Sequence, residues 1–275
     1  MGSRWQWVSA ALVVGTLAMA PTLGRAAPPE RVVSINLCAD QLLVLLADRE
    51  VLLSVTFLST QPSQSFVANR VGNIPRNYGE AEEILAMQPD LVVAGRFAAR
   101  PAVRMLERFG VPVLDLPIPE SFDQIRNQIT LVSSALGVEA RGDAMIAEMN
   151  RRLIEARPRR DTPRRALVVG ARGFTSGSET LVDEILSAAG LANVASELGI
   201  RGFGRIDLEE IVAADPDVII MNQAQNTRPS LARETLEHPA LRHFGGQIVH
   251  MNPALWTCGG PFTVEAVEFL AQAVP

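Results

Sequence analysis

The feature that most constrains this chain is a segment it uses twice. Glu82-Glu83-Ile84-Leu85-Ala86-Met87-Gln88-Pro89-Asp90-Leu91-Val92-Val93 is echoed by Glu209-Glu210-Ile211-Val212-Ala213-Ala214-Asp215-Pro216-Asp217-Val218-Ile219-Ile220. In each copy an Ile/Ala face suits a short helix. The Pro-Asp pair then ends it, because proline cannot donate the next helical bond, and the aliphatic run that follows suits a buried parallel strand. One helix-to-strand unit on either side of a helical stretch predicts two similar lobes facing each other.

The rest of the chain fits that plan. Short aliphatic runs at Val32 to Ile35, Leu52 to Thr56, Leu91 to Ala94, Val111 to Leu114, Ala166 to Val169, Val218 to Met221 and Ile248 to Met251 alternate with helix-length segments. This is the pattern of α/β units. The central stretch opens on Ser121 with Gln124 three residues on, a capping-box spacing, and Ile125, Ile129, Val132 and Leu136 recur at helical spacing up to Gly137. A second helix from about Glu139 to Arg157 is ended by Pro158 and Pro163. The expected fold is α/β, with two Rossmann-like lobes joined by a long rigid helix and a ligand cleft between them. The boundaries are a signal peptide at 1–26, an N-terminal lobe at 27–120, a helical connector at 121–163 and a C-terminal lobe at 164–275.

Arg4 followed by the apolar run Val8 to Ala20 reads as an export signal, too short for a comfortable membrane span, with cleavage expected after Ala26. No cysteine follows that cut, so a soluble periplasmic product is expected. The net charge of −5 is spread thinly, which argues against nucleic acid. The chain has no lysine, so a Gly-Lys phosphate loop is impossible. Gly173-Phe174-Thr175-Ser176-Gly177 carries threonine where a nucleophile elbow needs serine. No catalytic constellation stands out, and an exported hydrolase or redox enzyme is the competing class. The three histidines, His238, His243 and His250, all fall in the C-terminal part, whereas a bare-metal cleft would draw ligands from both lobes. No metal site of the protein's own and no cofactor are expected.

Ligands of open parallel sheets sit beyond the C-terminal strand ends. Those exits carry Asn36, and Tyr78, Phe97, Phe174, Phe203 and Trp256 lie in loops expected to border the groove between the lobes, with Arg76, Arg96, Arg172, Arg201 and Arg205 in connecting loops. The aromatics suit a large flat ligand and the arginines an anionic one. Cys38 and Cys258 lie at two such exits in an oxidising compartment, where a disulfide, free thiols at the ligand or plain burial are all open.

Arg31-Val32-Val33-Ser34, the segment from Glu82 to Gly95, the Gly173 to Gly177 turn and the segment from Glu209 to Asn222 together resemble the periplasmic binding proteins for ferric siderophores, haem and cobalamin. The resemblance implies a monomer that hands a metal chelate to an inner-membrane ABC permease dimer, with Glu82 and Glu209 docking into arginine pockets of the permease. It places Phe174, Phe203 and Trp256 near cobalamin-lining positions, but Arg76 and Gly95 stand where that subgroup tends to place aromatics. That turns the implied cargo toward an anionic ferric siderophore, with cobalamin or haem as alternatives and Tyr78 as the conceivable haem ligand.

Overall fold

The computed structural model describes residues 27–96, 100–158, 162–222, 238, 241 and 245–275. The signal segment, Phe97 and His243 lie outside them. The first lobe holds β1 (Val32–Ser34), α1 (Leu37–Leu46), β2 (Leu52–Thr56), β3 (Arg76–Asn77), α2 (Ala81–Ala86), β4 (Leu91–Gly95), α3 (Arg100–Arg108) and β5 (Val113–Leu116). Its sheet is ordered β3-β2-β1-β4-β5 and its strand pairs are parallel. The second lobe holds β6 (Arg164–Val169), β7 (Phe174–Ser176), α6 (Leu181–Ala188), β8 (Leu191–Asn193), α7 (Val194–Glu197), β9 (Phe203–Arg205), α8 (Leu208–Ala214), β10 (Val218–Asn222), β11 (Gln247–Met251) and α9 (Val264–Ala273). Its main sheet is the parallel set β11-β10-β6-β8, and β7 and β9 form a separate antiparallel ribbon.

Between the lobes run α4 (Phe122–Leu136) and α5 (Glu139–Ala156). The Ser121 hydroxyl accepts the Gln124 amide at 3.2 Å, and Gly137 ends α4 with φ 72, a left-handed position glycine takes freely. One apolar core passes through these helices: Val32 and Leu43 of the first lobe, Ile125, Ile129, Val132 and Met149 of the connector, and Ile185, Val218 and Val267 of the second belong to the same buried cluster. Polar ties fix α5 at both ends. Arg141 donates to Asp48 at 2.8 Å and to the Leu46 carbonyl, and Arg152 donates to both carboxylate oxygens of Glu268 at 2.9 and 2.6 Å.

The repeat is visible down to its turns. After α2 the chain passes through Gln88 (φ 48), and after α8 through Asp215 (φ 44). An arginine opening the neighbouring strand covers each turn: Arg31 donates to the Gln88 carbonyl at 2.8 Å, and Arg165 to the Ala214 and Asp215 carbonyls at 2.8 and 3.0 Å. Asp90 and Asp217 answer by accepting the backbone amides of Arg31 and Arg165 at 3.0 and 2.7 Å.

Two sequence expectations are corrected. The strand placed at Val111 to Leu114 forms at Val113–Leu116, because the Val111 amide is drawn to the Leu106 carbonyl and Pro112 has no N–H to pair. Phe174, Phe203 and Arg205, assigned to loops, stand on the β7/β9 ribbon, and Arg76 on the short edge strand β3.

One buried acid sits in this frame. Asp40 of α1 is fully buried and accepts the Thr56 amide at 3.1 Å and the Thr56 hydroxyl at 2.5 Å. Burial pushes its carboxyl from 3.8 up to about 7, against the hydrogen bonds of Ser34 and Thr56 that pull it down. The folded state therefore keeps a proton that the unfolded chain has lost. The stabilisation is fully present below pH 3.8 and is lost as pH rises towards about 7, up to about 4 kcal/mol. Asp40→Asn, which never ionises, is expected to gain stability relative to the parent between pH 4.5 and 7.5, by about 2–4 kcal/mol in urea titrations. A stability gap that does not change with pH contradicts this assignment.

Candidate functional site

The C-terminal ends of β1, β4 and β5 face those of β6 and β10 across a cleft of about 740 Å³. This is within the usual size of small-molecule sites. The first lobe contributes Asn36, Cys38, Gly95, Arg96 and the run Leu116-Pro117-Ile118-Pro119-Glu120. The second contributes Val168, Gly170, Phe174, Ser176, Glu179 to Val182, Phe203, Asn222 and Trp256 to Gly259.

Local geometry explains these placements. The Asn36 side chain caps α1, accepting the Cys38 and Ala39 amides at 2.9 and 3.2 Å, and this holds it at the mouth of β1. Gly95 leaves room for this side chain, since a Cβ there would stand 2.4 Å from Asn36 Nδ2. Phe174 and Phe203 stack across the ribbon with ring centroids 5.6 Å apart, leaving an aromatic face 47% and 65% exposed. The Thr175 hydroxyl between them is spent on the Val168 carbonyl at 2.7 Å, which ties the ribbon to β6. Trp256 is buried, and its Nε1 donates to Asn222 Oδ1 at 3.0 Å, so Asn222 sets the plane of the indole.

Cys38 and Cys258 are joined by a disulfide, with Cα atoms 5.2 Å apart and a sequence separation of 220. The bond crosses from one lobe to the other in the wall of the cleft. Beside it Phe66 stacks on Phe262 at 4.7 Å, and Leu37, Cys258 and Phe262 share a small buried cluster. Gly259 packs so closely that a Cβ would stand 2.3 Å from Pro119.

Of the residues placed at the ligand from sequence, Asn36, Arg96, Phe174, Phe203 and Trp256 line the cleft. Arg76, Tyr78, Arg172 and Arg205 are exposed outside its lining. Tyr78, 72% exposed, stacks on Phe57 at 5.1 Å, and Arg76 donates to the Gly72 carbonyl at 3.2 Å. Arg172 sits on a tight turn at φ 57. Arg201 pairs with Glu179. The charged side chains of the described lining are thus Arg96, Glu120 and Glu179, and the remainder is chiefly apolar. That lining holds no histidine, tyrosine or methionine. Leu116 to Glu120 and Asn222 were missed because the preceding strands run on past the ends assigned from sequence; the rule that points to strand exits would have found them.

Glu82 and Glu209 occupy the first turns of α2 and α8, and both are exposed. Their neighbours are used internally: Glu83 accepts the Tyr78 amide at 2.9 Å and Glu210 the Asp207 amide at 3.0 Å. Neither the Glu82 nor the Glu209 side chain makes a hydrogen bond or ion pair with another described residue.

Residues 32–245 match the periplasmic binding protein family, and the chain belongs to it. Its curated relatives include a cobalamin-binding protein of Halobacterium salinarum, 29% identical over 201 residues that cover 70% of this chain and 53% of the relative. The chain thus spans about half the length of that relative. Among solved structures it is similar to the periplasmic haem-binding protein RhuT of a Roseiflexus species, with TM-score 0.73, 27% identity and coverage of 89% of this chain and 97% of that one. It shares its fold with the vitamin B12-binding protein BtuF of Vibrio cholerae, with TM-score 0.68, 20% identity and coverage of 90% and 96%. The family is one of binding proteins of ABC importers, and no described helix is long and apolar enough to cross a membrane.

Gly259→Ala tests the contact between the lobes at the cleft wall. Forcing a methyl group against Pro119 is expected to cost about 1–3 kcal/mol. In a chain of this size that lowers Tm by about 2–4 °C per kcal/mol, read by calorimetry. An unchanged Tm contradicts the close contact.

Proposed function

We propose that this protein, exported to the periplasm with removal of residues 1–26, is the monomeric cargo-binding component of an ABC importer, and that its cargo is a corrinoid. The observation that carries the choice of cargo is the charge of the cleft. An anionic ferric siderophore, the cargo favoured from sequence, calls for several cations, whereas the described lining offers Arg96 beside Glu120, with Glu179 paired to Arg201, among apolar and aromatic walls. Haem calls for an axial donor from the protein, and the described lining offers no histidine, tyrosine or methionine. A corrinoid such as cyanocobalamin carries its own axial ligands and presents a broad, largely uncharged surface that the Phe174/Phe203 face and Trp256 can cover. The cobalamin-binding relative supports the same reading.

Capture makes no covalent bond. The connector core keeps the lobes close to the bound arrangement, so little ordering is needed when cargo enters. Glu82 and Glu209 then present the loaded protein to a symmetric permease through two matched acidic points. An exported hydrolase fits less well, since the Thr175 hydroxyl is engaged and Cys258 is tied in the disulfide.

Titration of the protein with cyanocobalamin, haemin and ferric complexes of hydroxamate, catecholate and citrate ligands tests the cargo. Cyanocobalamin is expected to bind with Kd below about 1 μM and the anionic ferric complexes more weakly by roughly a hundredfold. Tight binding of an anionic complex together with no response to cyanocobalamin rejects the corrinoid. For docking, Glu82→Arg with Glu209→Arg is expected to cut uptake in cells by roughly tenfold or more while cargo affinity stays unchanged. Undiminished uptake contradicts the role given to these two side chains.

A further inference from the structure

The disulfide has a placement that stabilisation alone does not require. The lobes are already joined through α4 and α5, and the Cys38–Cys258 bond adds a second covalent attachment inside the cargo cleft. Two attachments restrict relative motion of the lobes to rotation about the line joining them. Without the bond, noncovalent contacts alone join the lobes at that place, the Leu37, Phe66 and Phe262 cluster and the packing of Gly259 on Pro119.

The two sulfurs also differ in access. Cys38 is half-buried in the first turn of α1. Cys258 is 2% exposed under Phe262. An external thiolate arriving through the cleft therefore meets Cys38 first.

We infer that Cys38 is a thiol-exchange site and that the Cys38–Cys258 bond is a redox-operated clamp across the cargo cleft, opened by a dithiol reductant. The reductant thiolate attacks Cys38 Sγ, forming a mixed disulfide and releasing Cys258 as a thiolate that takes up a proton. The second reductant thiolate then attacks its own sulfur in the mixed disulfide and releases Cys38, which is protonated in turn. Two electrons and two protons pass to the protein, and the reductant leaves as its disulfide. Closing the clamp is the reverse exchange with a protein or small-molecule disulfide. This inference concerns the empty cleft and does not depend on which cargo is bound.

Hydrogen exchange of the full chain with and without dithiothreitol tests it. The reduced protein is expected to keep its far-UV circular dichroism, while the Cys38, Ala39, Phe66, Gly260 and Thr263 amides exchange roughly tenfold faster and the amides of β4 and β10 keep their protection. Limiting iodoacetamide should alkylate Cys38 ahead of Cys258, and Cys38→Ser/Cys258→Ser should reproduce the reduced exchange pattern. Unchanged exchange at the five amides, loss of protection throughout the chain on reduction, or faster alkylation of Cys258 overturns the clamp.

Discussion

The apolar seam through α4 and α5 is what the rest of the molecule depends on. Ile125, Ile129, Val132 and Met149 belong to the same buried cluster as residues of both lobes, so the connector is an interior element that the two sheets share. Moving one lobe far from the other would expose part of that core, at about 25 cal/mol per Å² of apolar surface. Arg141 and Arg152 fasten opposite ends of α5 to α1 and α9, which discourages sliding along the seam. A cleft held in this way is largely formed before cargo arrives.

The chemistry of the cleft follows from what stands at the strand exits. Parallel strands buried on both faces leave their C-terminal ends as the places where polar and aromatic side chains reach open space. Here those ends supply an asparagine cap, a stacked phenylalanine pair and an indole held by Asn222, with few charges among them. Such a surface favours area and shape over ion pairing. The duplicated helix-to-strand unit sets a matched pair of exposed glutamates, Glu82 and Glu209, on the first turns of α2 and α8, while Glu83 and Glu210 each accept an amide of the chain before them.

Much of this was legible in the sequence because the repeat carries its own physics. The Pro-Asp stop and the aliphatic run that follows leave one sensible reading, and Asp90 and Asp217 play the same part in both lobes. The ribbon of β7 and β9 was not legible. Its strands are three residues long, and they depend on Gly177 and Gly173 allowing backbone approaches in which a Cβ would stand 1.9 Å from the Ile200 oxygen and 2.1 Å from the Ile206 oxygen. Close approaches between distant segments leave no periodic trace. The arginines misled for a related reason: a loop arginine near a strand end reads as cleft-facing, yet the side chain of Arg76 turns to the Gly72 carbonyl. The cysteine pair stayed open until the fold brought Asn36-Leu37-Cys38 against the loop after Trp256.

The central claim is that one cargo molecule is held by both lobes at once. Hydroxyl-radical footprinting with and without cyanocobalamin reads that directly. The account predicts that Phe174 and Phe203 of the second lobe and Pro117 and Ile118 of the first, all exposed in the empty cleft, become protected together and at the same cargo concentration. Protection confined to one lobe, or appearing away from the cleft, would contradict it.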